Sequence, residues 1–139
     1  RMVGTALDVT AEREADAERA RLADAARAAA ERLAVAVEAS RDALWDWHPA
    51  DGRLFVSPET TRLLGYAPEE LTTAEAWDAL LHPDDRPQVA ARYAAHLAGR
   101  TAYFEAEYRV RHRTGAWRWI QARGRVVARD ADGTPRRLS

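Results

Sequence analysis

The stretch YFEAEYRVRHR, at Tyr103–Arg113, decides the fold class of this 139-residue chain. From Phe104 to Val110 every second residue is apolar or aromatic, and the residues between them are charged. This alternation predicts a β-strand that buries one face and leaves the other in water. Strands with one wet face are typical of antiparallel sheets, so the pattern favours an antiparallel arrangement.

Turn signals on both sides of this strand predict its neighbours. Thr114-Gly115 leads into a strand over residues 116–129, and Asp130–Gly133 leads into a last strand that begins at Arg136. Nearer the N-terminus, residues 43–56 predict a hairpin, because two alternating segments flank the turn dipeptide Asp51-Gly52.

Three helix starts separate the hairpin from the last strands. They are Ser57-Pro58, the capping box Thr72–Glu75, and Asp85–Pro87. Short helices between groups of tightly connected strands indicate an α+β fold. We expect an antiparallel sheet of up to five strands, with short helices on one face and a long N-terminal amphipathic helix.

Residues 11–40 predict that long helix, because they contain neither Gly nor Pro and are rich in Ala, Glu and Arg. A row of apolar residues recurs at heptad spacing and indicates a seam for a second copy of the helix. The seam residues are Leu22, Ala26, Ala29 and Leu33. An exposed single helix is the alternative, because the seam is narrow. The strand over 116–129 is apolar on both faces, so we expect this helix or a partner subunit to cover Trp117 and Trp119.

Composition excludes several classes of function. The 21 basic and 22 acidic residues give a formal net charge of -1, which argues against a dedicated nucleic-acid or anionic-membrane binder. A chain without cysteine forms no disulfide, no zinc–thiolate site and no cysteine nucleophile. No apolar run reaches the roughly 20 residues of a membrane span. No signal-peptide pattern opens the chain either, so a cytoplasmic setting is expected.

No pattern predicts an active site or a metal site. The four histidines lack ligand spacing, and neither a nucleophile elbow nor a Gly-rich phosphate loop is present. We expect His82 to brace a turn, and Asp84 and Asp85 to cap the next helix. The arginine-rich stretch 109–129 is compatible with an RNA platform, but neighbouring glutamates favour ion pairs on a solvated sheet face. We therefore expect no nucleic-acid partner and no enzyme activity in this chain.

A series of motifs resembles PAS sensor domains of the subtype with a WDW first strand. Ala39–Trp47 contains the WDW triplet, and His82–Asp85 matches the family's HPDD turn. Further matching segments are Ser57-Pro58, Leu64–Tyr66, Glu107–Arg109, Arg118–Ile120 and Arg129–Gly133. The resemblance covers Val35–Ser139, with the segments in the family's order and spacing.

This resemblance implies three parts: residues 1–10 as the tail of a preceding PAS-like domain, 11–40 as a linker or signalling helix, and 41–139 as a PAS domain whose final strand is truncated. The first part rests on Val3–Thr10, which resembles the run that usually closes the family's sheet. We therefore expect Met2–Val9 to pair as a surrogate strand, in this chain's sheet or a neighbour's, because an unpaired edge invites addition.

The resemblance also implies a function, namely a sensory and dimerisation module of a multidomain bacterial signalling protein. The expected partners are a second copy of the chain and the other domains of the parent protein. Those domains would carry a histidine kinase of a two-component system, or a diguanylate cyclase or other cyclic-dinucleotide output. A ligand-free structural spacer is the alternative.

The cofactor stays unknown at this stage. Flavin chemistry that forms a cysteine adduct is excluded, because the chain has no cysteine. Haem is not expected, because His96 lies near the end of its helix whereas the family's haem-bearing position is close to Gln88. A small-molecule cavity has as its expected walls Tyr93, Phe104, Tyr108 and Ile120. Such aromatic and aliphatic walls suit a filled core equally well.

Overall fold

The computed structural model describes residues 1–139 and divides into two compact units, Arg1–Asp42 and Ala43–Ser139. The first unit holds one long helix, and the second holds the strands and the short helices. The elements, in chain order, are α1 Thr10–Ser40, β1 Trp45–His48, β2 Arg53–Val56, α2 Glu59–Leu64, a 3-10 turn Pro68–Glu70, α3 Ala74–Asp78, α4 Arg86–Leu97, β3 Phe104–Arg111, β4 Trp117–Gly124, β5 Val126–Arg129 and β6 Pro135–Leu138.

Helix α1 confirms the predicted long helix and extends over 31 residues. None of its residues is buried, and the seam residues Leu22 and Leu33 are 58% and 66% exposed. The helix ends where Arg41 adopts a left-handed backbone with φ 58°. None of the helices combines the length and the hydrophobicity that a membrane crossing needs.

Residues 1–9 form no strand. The prediction that Met2–Val9 would complete this chain's own sheet is therefore wrong. The physical reason is that Pro135–Leu138 already forms a strand, β6, which pairs with both β1 and β5. Asp8 lies just before α1, and its carboxylate accepts hydrogen bonds from the backbone N–H of Thr10, the first residue of the helix, at 2.9 Å and from the Thr10 hydroxyl at 2.6 Å.

The second unit confirms the α+β class, and all its strand pairs are antiparallel. Four strands form one sheet in the order β2-β1-β6-β5, and β3 pairs with β4 in a second ladder. Only Arg125 separates β4 from β5. Its N–H donates to the Ser139 carbonyl at 2.8 Å, and its carbonyl accepts from the Ser139 N–H at 3.0 Å. The predicted strand over 116–129 is therefore one path that passes through both sheets and is interrupted at Arg125.

Gly124 lies directly before this interruption, and no side chain fits at its position. A Cβ at this position would lie 2.4 Å from Cζ2 of Trp45, which is closer than real contacts allow. The Trp45 ring is itself packed edge-on against Phe104, with 6.3 Å between the ring centroids. The missing side chain thus allows β1 to approach the junction of β4 and β5.

The predicted helix starts are confirmed, but their caps differ in part. Thr73 caps α3, since its hydroxyl accepts from the Ala76 N–H at 3.2 Å. Ser57, expected to cap α2, instead accepts from the Leu44 N–H at 2.9 Å and so ties the helix start to the segment before β1. The left-handed Gly65 ends α2.

The core of the second unit lies between the sheet and the short helices. The inward set of β3 predicted from the alternation is buried throughout, with every member 2% exposed or less: Phe104, Ala106, Tyr108 and Val110. Aliphatic residues from β2, the helices and their connections complete the core: Val56, Leu64, Leu71, Leu80, Leu81 and Val89.

Candidate functional site

Four aromatic rings fill the region between β1, α4 and β3. Tyr93 stacks on Phe104, with 3.8 Å between ring centroids and 9° between the planes. Trp47 meets Tyr93 edge-on at 5.4 Å, and Trp45 meets Phe104 edge-on at 6.3 Å. Such pairs stabilise by about 0.5–1.5 kcal/mol each beyond their burial. Protein side chains therefore occupy this part of the interior.

All four residues predicted as cavity walls lie in this interior. Phe104 and Tyr108 are buried, and Tyr93 and Ile120 are half-buried and pack against the core. Ile120 stands directly opposite Tyr108 in the ladder of β3 and β4. The structure brings these residues together, and their role in binding a small molecule stays a prediction.

Polar groups border the same interior. The Trp77 side chain hydrogen-bonds Tyr108, and the charge of Asp78 acts on both Tyr93 and Tyr108. Burial raises the pKa of Tyr108 to about 12 and also raises the pKa of Tyr93. Burial likewise raises the pKa of Asp78 above its usual value. Both phenols are therefore neutral hydrogen-bonding groups at physiological pH.

Trp47 carries a buried donor without a partner. Its indole Nε1 is shielded from solvent and forms no hydrogen bond. A buried N–H that lacks an acceptor costs about 1–3 kcal/mol. An acceptor atom placed beside this nitrogen would therefore stabilise the interior, so this is the point where a polar ligand or a water molecule has most to gain.

The HPDD turn binds the edge of β3 through Asp85. Its carboxylate accepts from the Arg109 backbone N–H and Nε, both at 2.9 Å, and from Nη2 at 2.8 Å. The hydrogen bonds from Arg109 lower the pKa of Asp85 to about 2. Asp85 makes no capping bond at the start of α4, so the prediction that it caps the helix is wrong: Arg109 offers three donors to the same carboxylate. His82 does brace the turn, because its Nδ1 accepts from the Asp84 N–H at 3.2 Å.

Side chains of α4 cover the rest of the outer edge of β3. Gln88 Nε2 donates to the Glu107 carbonyl at 2.8 Å, and Arg92 Nη1 donates to the Glu105 carbonyl at 3.0 Å. These bonds protect an edge strand from pairing with other chains. An open groove of about 410 Å³ lies here, lined by Gln88, Arg92, Glu105, Ala106, Glu107, Trp119 and Gln121.

The outer face of the β3–β4 ladder carries exposed tryptophans. Trp119 is 67% exposed, and Cζ of Arg109 lies 5.1 Å from its ring centroid. Trp117 is 44% exposed and contacts the His82 ring, with 4.5 Å between centroids. The cover expected for these two rings, from α1 or from a partner subunit, stays a prediction.

Asp46, the central residue of the WDW triplet, joins β1 to β6. Its carboxylate oxygens accept from Arg137 Nε at 2.8 and 2.9 Å and from the Ser139 hydroxyl at 2.6 Å. Burial acts to raise the pKa of Asp46, but the bonds from Arg137 and Ser139 outweigh burial and lower it. The motif therefore fixes the last strand of the sheet.

His96 offers no free nitrogen to a haem iron. Its ring is buried, Nδ1 lies 2.9 Å from the Thr101 carbonyl oxygen, and Nε2 accepts from the Val126 N–H at 3.0 Å. Ligation of a metal through either nitrogen would break one of these bonds.

The PAS fold family matches residues 53–139, from β2 to the end of the chain, which is more than half of its length. The chain belongs to the PAS fold family. The match includes the HPDD turn, the β3–β4 ladder and β6, whereas β1, with the WDW triplet, lies before it.

Solved PAS domains of signalling proteins share the fold. A sensory box histidine kinase/response regulator from Burkholderia thailandensis is 39% identical, with a TM-score of 0.65 over 77% of this chain and 79% of that one. The N-terminal domain of a diguanylate cyclase with a PAS/PAC sensor, from Marinobacter aquaeolei, is 27% identical, with a TM-score of 0.61 over 70% of this chain and 89% of that one. The chain is thus a PAS sensor domain with a linker helix, α1, before it.

Curated relatives are much longer than this chain. A methyl sulfide methyltransferase-associated sensor from Methanosarcina acetivorans is 35% identical over 81 residues, which are 58% of this chain and 8% of the relative. A neuronal PAS domain-containing protein 4-like protein from Danio rerio is 38% identical over 86 residues, which are 60% of this chain and 13% of the relative.

Sequence reasoning missed several contacts of this PAS domain. The motifs singled out Asp46 and Asp85, but no periodicity identifies Arg137 and Arg109 as their partners, which lie 91 and 24 residues away. The sequence did indicate that His96 forms hydrogen bonds, because a histidine on the buried side of α4 needs a partner for each of its two ring nitrogens. Its partner Val126 offers only a backbone amide, which sequence does not distinguish.

Proposed function

We propose that this chain is a sensory and dimerisation module of a multidomain cytoplasmic signalling protein. Its membership of the PAS fold family supports a sensory role, as does its likeness to PAS domains of a histidine kinase and a diguanylate cyclase. Other domains of the parent protein supply the output, either phosphotransfer or cyclic-dinucleotide chemistry. The chain itself senses and transmits.

The exposed seam of α1 is the observation that carries the dimerisation part of this proposal. Leu22 and Leu33 are more than half exposed, and Ala26 and Ala29 lie between them at heptad spacing. Long helices in water owe most of their stability to the packing of an apolar face, and no residue of α1 is buried. A second copy of the seam buries both leucines of each chain.

The outer face of the β3–β4 ladder supports a second contact between copies. Trp117 and Trp119 lie on this face, 44% and 67% exposed, and contiguous exposed apolar surface is typical of interaction sites. Along β3 the outward residues run from acidic, at Glu105, to basic, at Arg111. Two copies related by a two-fold axis place the acidic end of one strand near the basic end of the other, which makes the surface self-complementary.

Substitution in the seam tests where the dimer forms. Leu22→Arg with Leu33→Arg is expected to give monomers, because it places two buried cations in each chain at the interface. Ala20→Arg with Ala34→Arg adds the same charge off the seam and is expected to stay dimeric. Sedimentation velocity and native mass spectrometry measure both. A dimer that persists in the leucine variant would move the interface to the sheet, and a wild-type monomer would contradict dimerisation.

Signal transmission in this proposal is a change in how two copies hold their helix pair. A ligand or partner acts only through the difference in its affinity for two arrangements of the module. A complete switch from one arrangement to the other needs about 5.5 kcal/mol of differential binding.

A small polar ligand in the interior is the second candidate function, favoured by the unpartnered Trp47 N–H. Such a ligand needs an acceptor atom for this donor, beside the Tyr93 ring that Trp47 meets edge-on. A thermal-shift panel of small carboxylic acids and carbonyl compounds tests the idea. A visible absorption spectrum of the purified chain shows whether a coloured cofactor is already bound. A compound that raises the melting temperature of the wild type but not of Trp47→Phe supports it, and a flat panel favours the ligand-free spacer.

A further inference from the structure

Two charged side chains on the outer face of the β3–β4 ladder have no partner within the chain. Glu107 and Arg111 both point outward from β3 and are exposed. Neither side chain forms an ion pair or a hydrogen bond, although the Glu107 carbonyl accepts from Gln88. The two free charges have opposite signs, so a surface that presents them in the reverse order matches both.

Arg109 and Trp119 form the central pair of this face. Arg109 lies two residues from each free charge along β3, and Trp119 lies directly opposite it on β4. The guanidinium of Arg109 is already bound to Asp85, and its Cζ lies 5.1 Å from the Trp119 ring centroid. The Trp119 side chain is still 67% exposed, so the centre of the face leaves aromatic surface in water.

The outward residues on both sides of the central pair follow the same ladder. Gln121 lies opposite Glu107, and Trp117 lies opposite Arg111. Because antiparallel strands rise about 3.4 Å per residue, each free charge lies about 7 Å from the central pair, on opposite sides. The face therefore has aromatic surface in the middle, an unpaired anion at one end and an unpaired cation at the other.

A two-fold axis through the central pair, at right angles to the strands, makes this face complementary to itself. In a two-fold interface each contact between two residues occurs twice. Rotation about this axis lays β3 over β3 of the second copy in the opposite direction. Glu107 of each copy then faces Arg111 of the other, and Trp119 faces Trp119 on the axis.

An axis along the strands gives a poorer match. It lays β3 of one copy over β4 of the other, which places Glu107 against Gln121 and Arg111 against Trp117. Both charges would then lose part of their hydration without gaining an opposite charge, which is costly. The two free charges therefore select the axis across the strands.

We propose that two copies of the chain pack through this face with Trp119 on the two-fold axis and a Glu107–Arg111 ion pair on each side of it. This alignment rests on the dimerisation proposed above, and it specifies which residues of the two sheets meet. Sheets that pack face to face lie about 10 Å apart, a gap that a glutamate and an arginine side chain extending towards each other can span.

Charge reversal on the full chain tests the two ion pairs. Glu107→Arg or Arg111→Glu alone places two like-charge pairs in the interface and is expected to raise the dissociation constant of the dimer about tenfold. An equal mixture of the two variants restores opposite charges at both pairs, so its dissociation constant should return to the wild-type value. Sedimentation velocity over a concentration series measures each sample.

Glu69→Arg and Arg100→Glu are the matched controls, because both residues are exposed and lie outside the strands. Neither control should change the dissociation constant, alone or in the mixture. Reversals at 107 and 111 that have no effect, or whose mixture dimerises no better than each variant alone, overturn the alignment.

Cross-linking tests the alignment separately from the strength of the dimer. The chain contains no cysteine, so Glu107→Cys and Arg111→Cys each introduce a single thiol. A bis-maleimide that spans about 10 Å should join the two variants when they are mixed, because the alignment brings these positions face to face. It should not join Glu107→Cys to itself, since those two positions lie about 17 Å apart across the axis.

The outcomes separate this alignment from dimerisation itself. A wild-type chain that sediments as a monomer contradicts both proposals. A wild-type dimer whose mixed cysteine variants stay unlinked contradicts the alignment alone. Cross-links between Glu107→Cys and Gln121→Cys would show the axis along the strands and would also overturn it.

Discussion

Asp46 and Asp85 each bond an arginine on a distant strand. Asp46 lies in the WDW triplet and bonds Arg137, and Asp85 lies in the HPDD turn and bonds Arg109. Both carboxylates have a lowered pKa. The side chains of these motifs therefore act as tethers: the first attaches the last strand to the first, and the second attaches the helical layer to the edge of β3.

Substitution of Asp85 tests the second tether through its pH dependence. Above the ordinary value of 3.8 the carboxylate is charged in both states of the chain, and the bonds to Arg109 stabilise the fold fully. As the pH falls from there through about 2, the folded-state value, this stabilisation is lost. Asp85→Asn is expected to melt several degrees lower than the wild type at neutral pH, with the difference shrinking in acid.

Circular dichroism melts between neutral pH and strong acid measure this difference. Asp84→Asn is the matched control, because the Asp84 side chain is 79% exposed and does not bond Arg109. It should melt like the wild type. Equal losses in the two variants, or a gap that stays constant into acid, would show that Asp85 stabilises the fold in some other way.

Among the elements, the path from β4 to β5 is held by contacts from three directions. Gly124 leaves room for the Trp45 ring, and Arg125 and Val126 are held by Ser139 and His96 on either side. Three consecutive residues, 124–126, are thus contacted by β1, by Ser139 at the end of β6 and by α4. This convergence explains why one strand path can serve two ladders.

Gly124→Ala is expected to lower the free energy of unfolding by about 1–3 kcal/mol, the usual cost of overpacking a filled site. Urea denaturation monitored by fluorescence measures it. In a Trp45→Leu background the clashing ring is absent, so the same Gly124→Ala change should cost clearly less. An additive double variant would place the strain elsewhere, for example against the Ser139 carbonyl, which a Cβ would approach to 3.0 Å.

Helices and strands were easier to predict from the sequence than the contacts between distant side chains were. The alternation of Tyr103–Arg113 and the Gly-free, Pro-free run of α1 identified their structures, because both patterns are local. The path over 116–129 was predicted as one strand, and its interruption at Arg125 was missed, because the pairing of Arg125 with Ser139 is a contact that no local pattern shows. The 3-10 turn at Pro68–Glu70 was missed for its shortness. The prediction that Asp85 caps α4 was wrong because Arg109, on a distant strand, binds the same carboxylate.

The candidate site shows the same division. Periodicity placed the wall residues Tyr93, Phe104, Tyr108 and Ile120 in the interior, because inward positions follow from the strand period alone. Whether the rings leave a cavity depends on their orientation, and the stacking of Tyr93 on Phe104 fills that region. The unpartnered nitrogen of Trp47 is a three-dimensional property with no sequence signal.

At the scale of the whole molecule, a PAS domain follows a helix with no buried residue. Each unit leaves apolar surface in water: the seam of Leu22 and Leu33 in the first, and the pair Trp117 and Trp119 in the second. In our proposal a second copy of the chain covers both, and the helix pair carries the signal towards the other domains of the parent protein.

A distance between two copies of α1 tests this central claim most directly. The chain contains no cysteine, so Arg27→Cys gives a single spin-labelling site midway along the seam region. Packed helices lie about 8–10 Å apart, so pulsed electron spin resonance should detect one defined distance between the two labels. The dipolar signal that reports this distance should disappear when Leu22→Arg and Leu33→Arg are added, because the two helices then separate. A labelled chain with no defined distance, at concentrations where the wild type sediments as a dimer, would contradict pairing along α1.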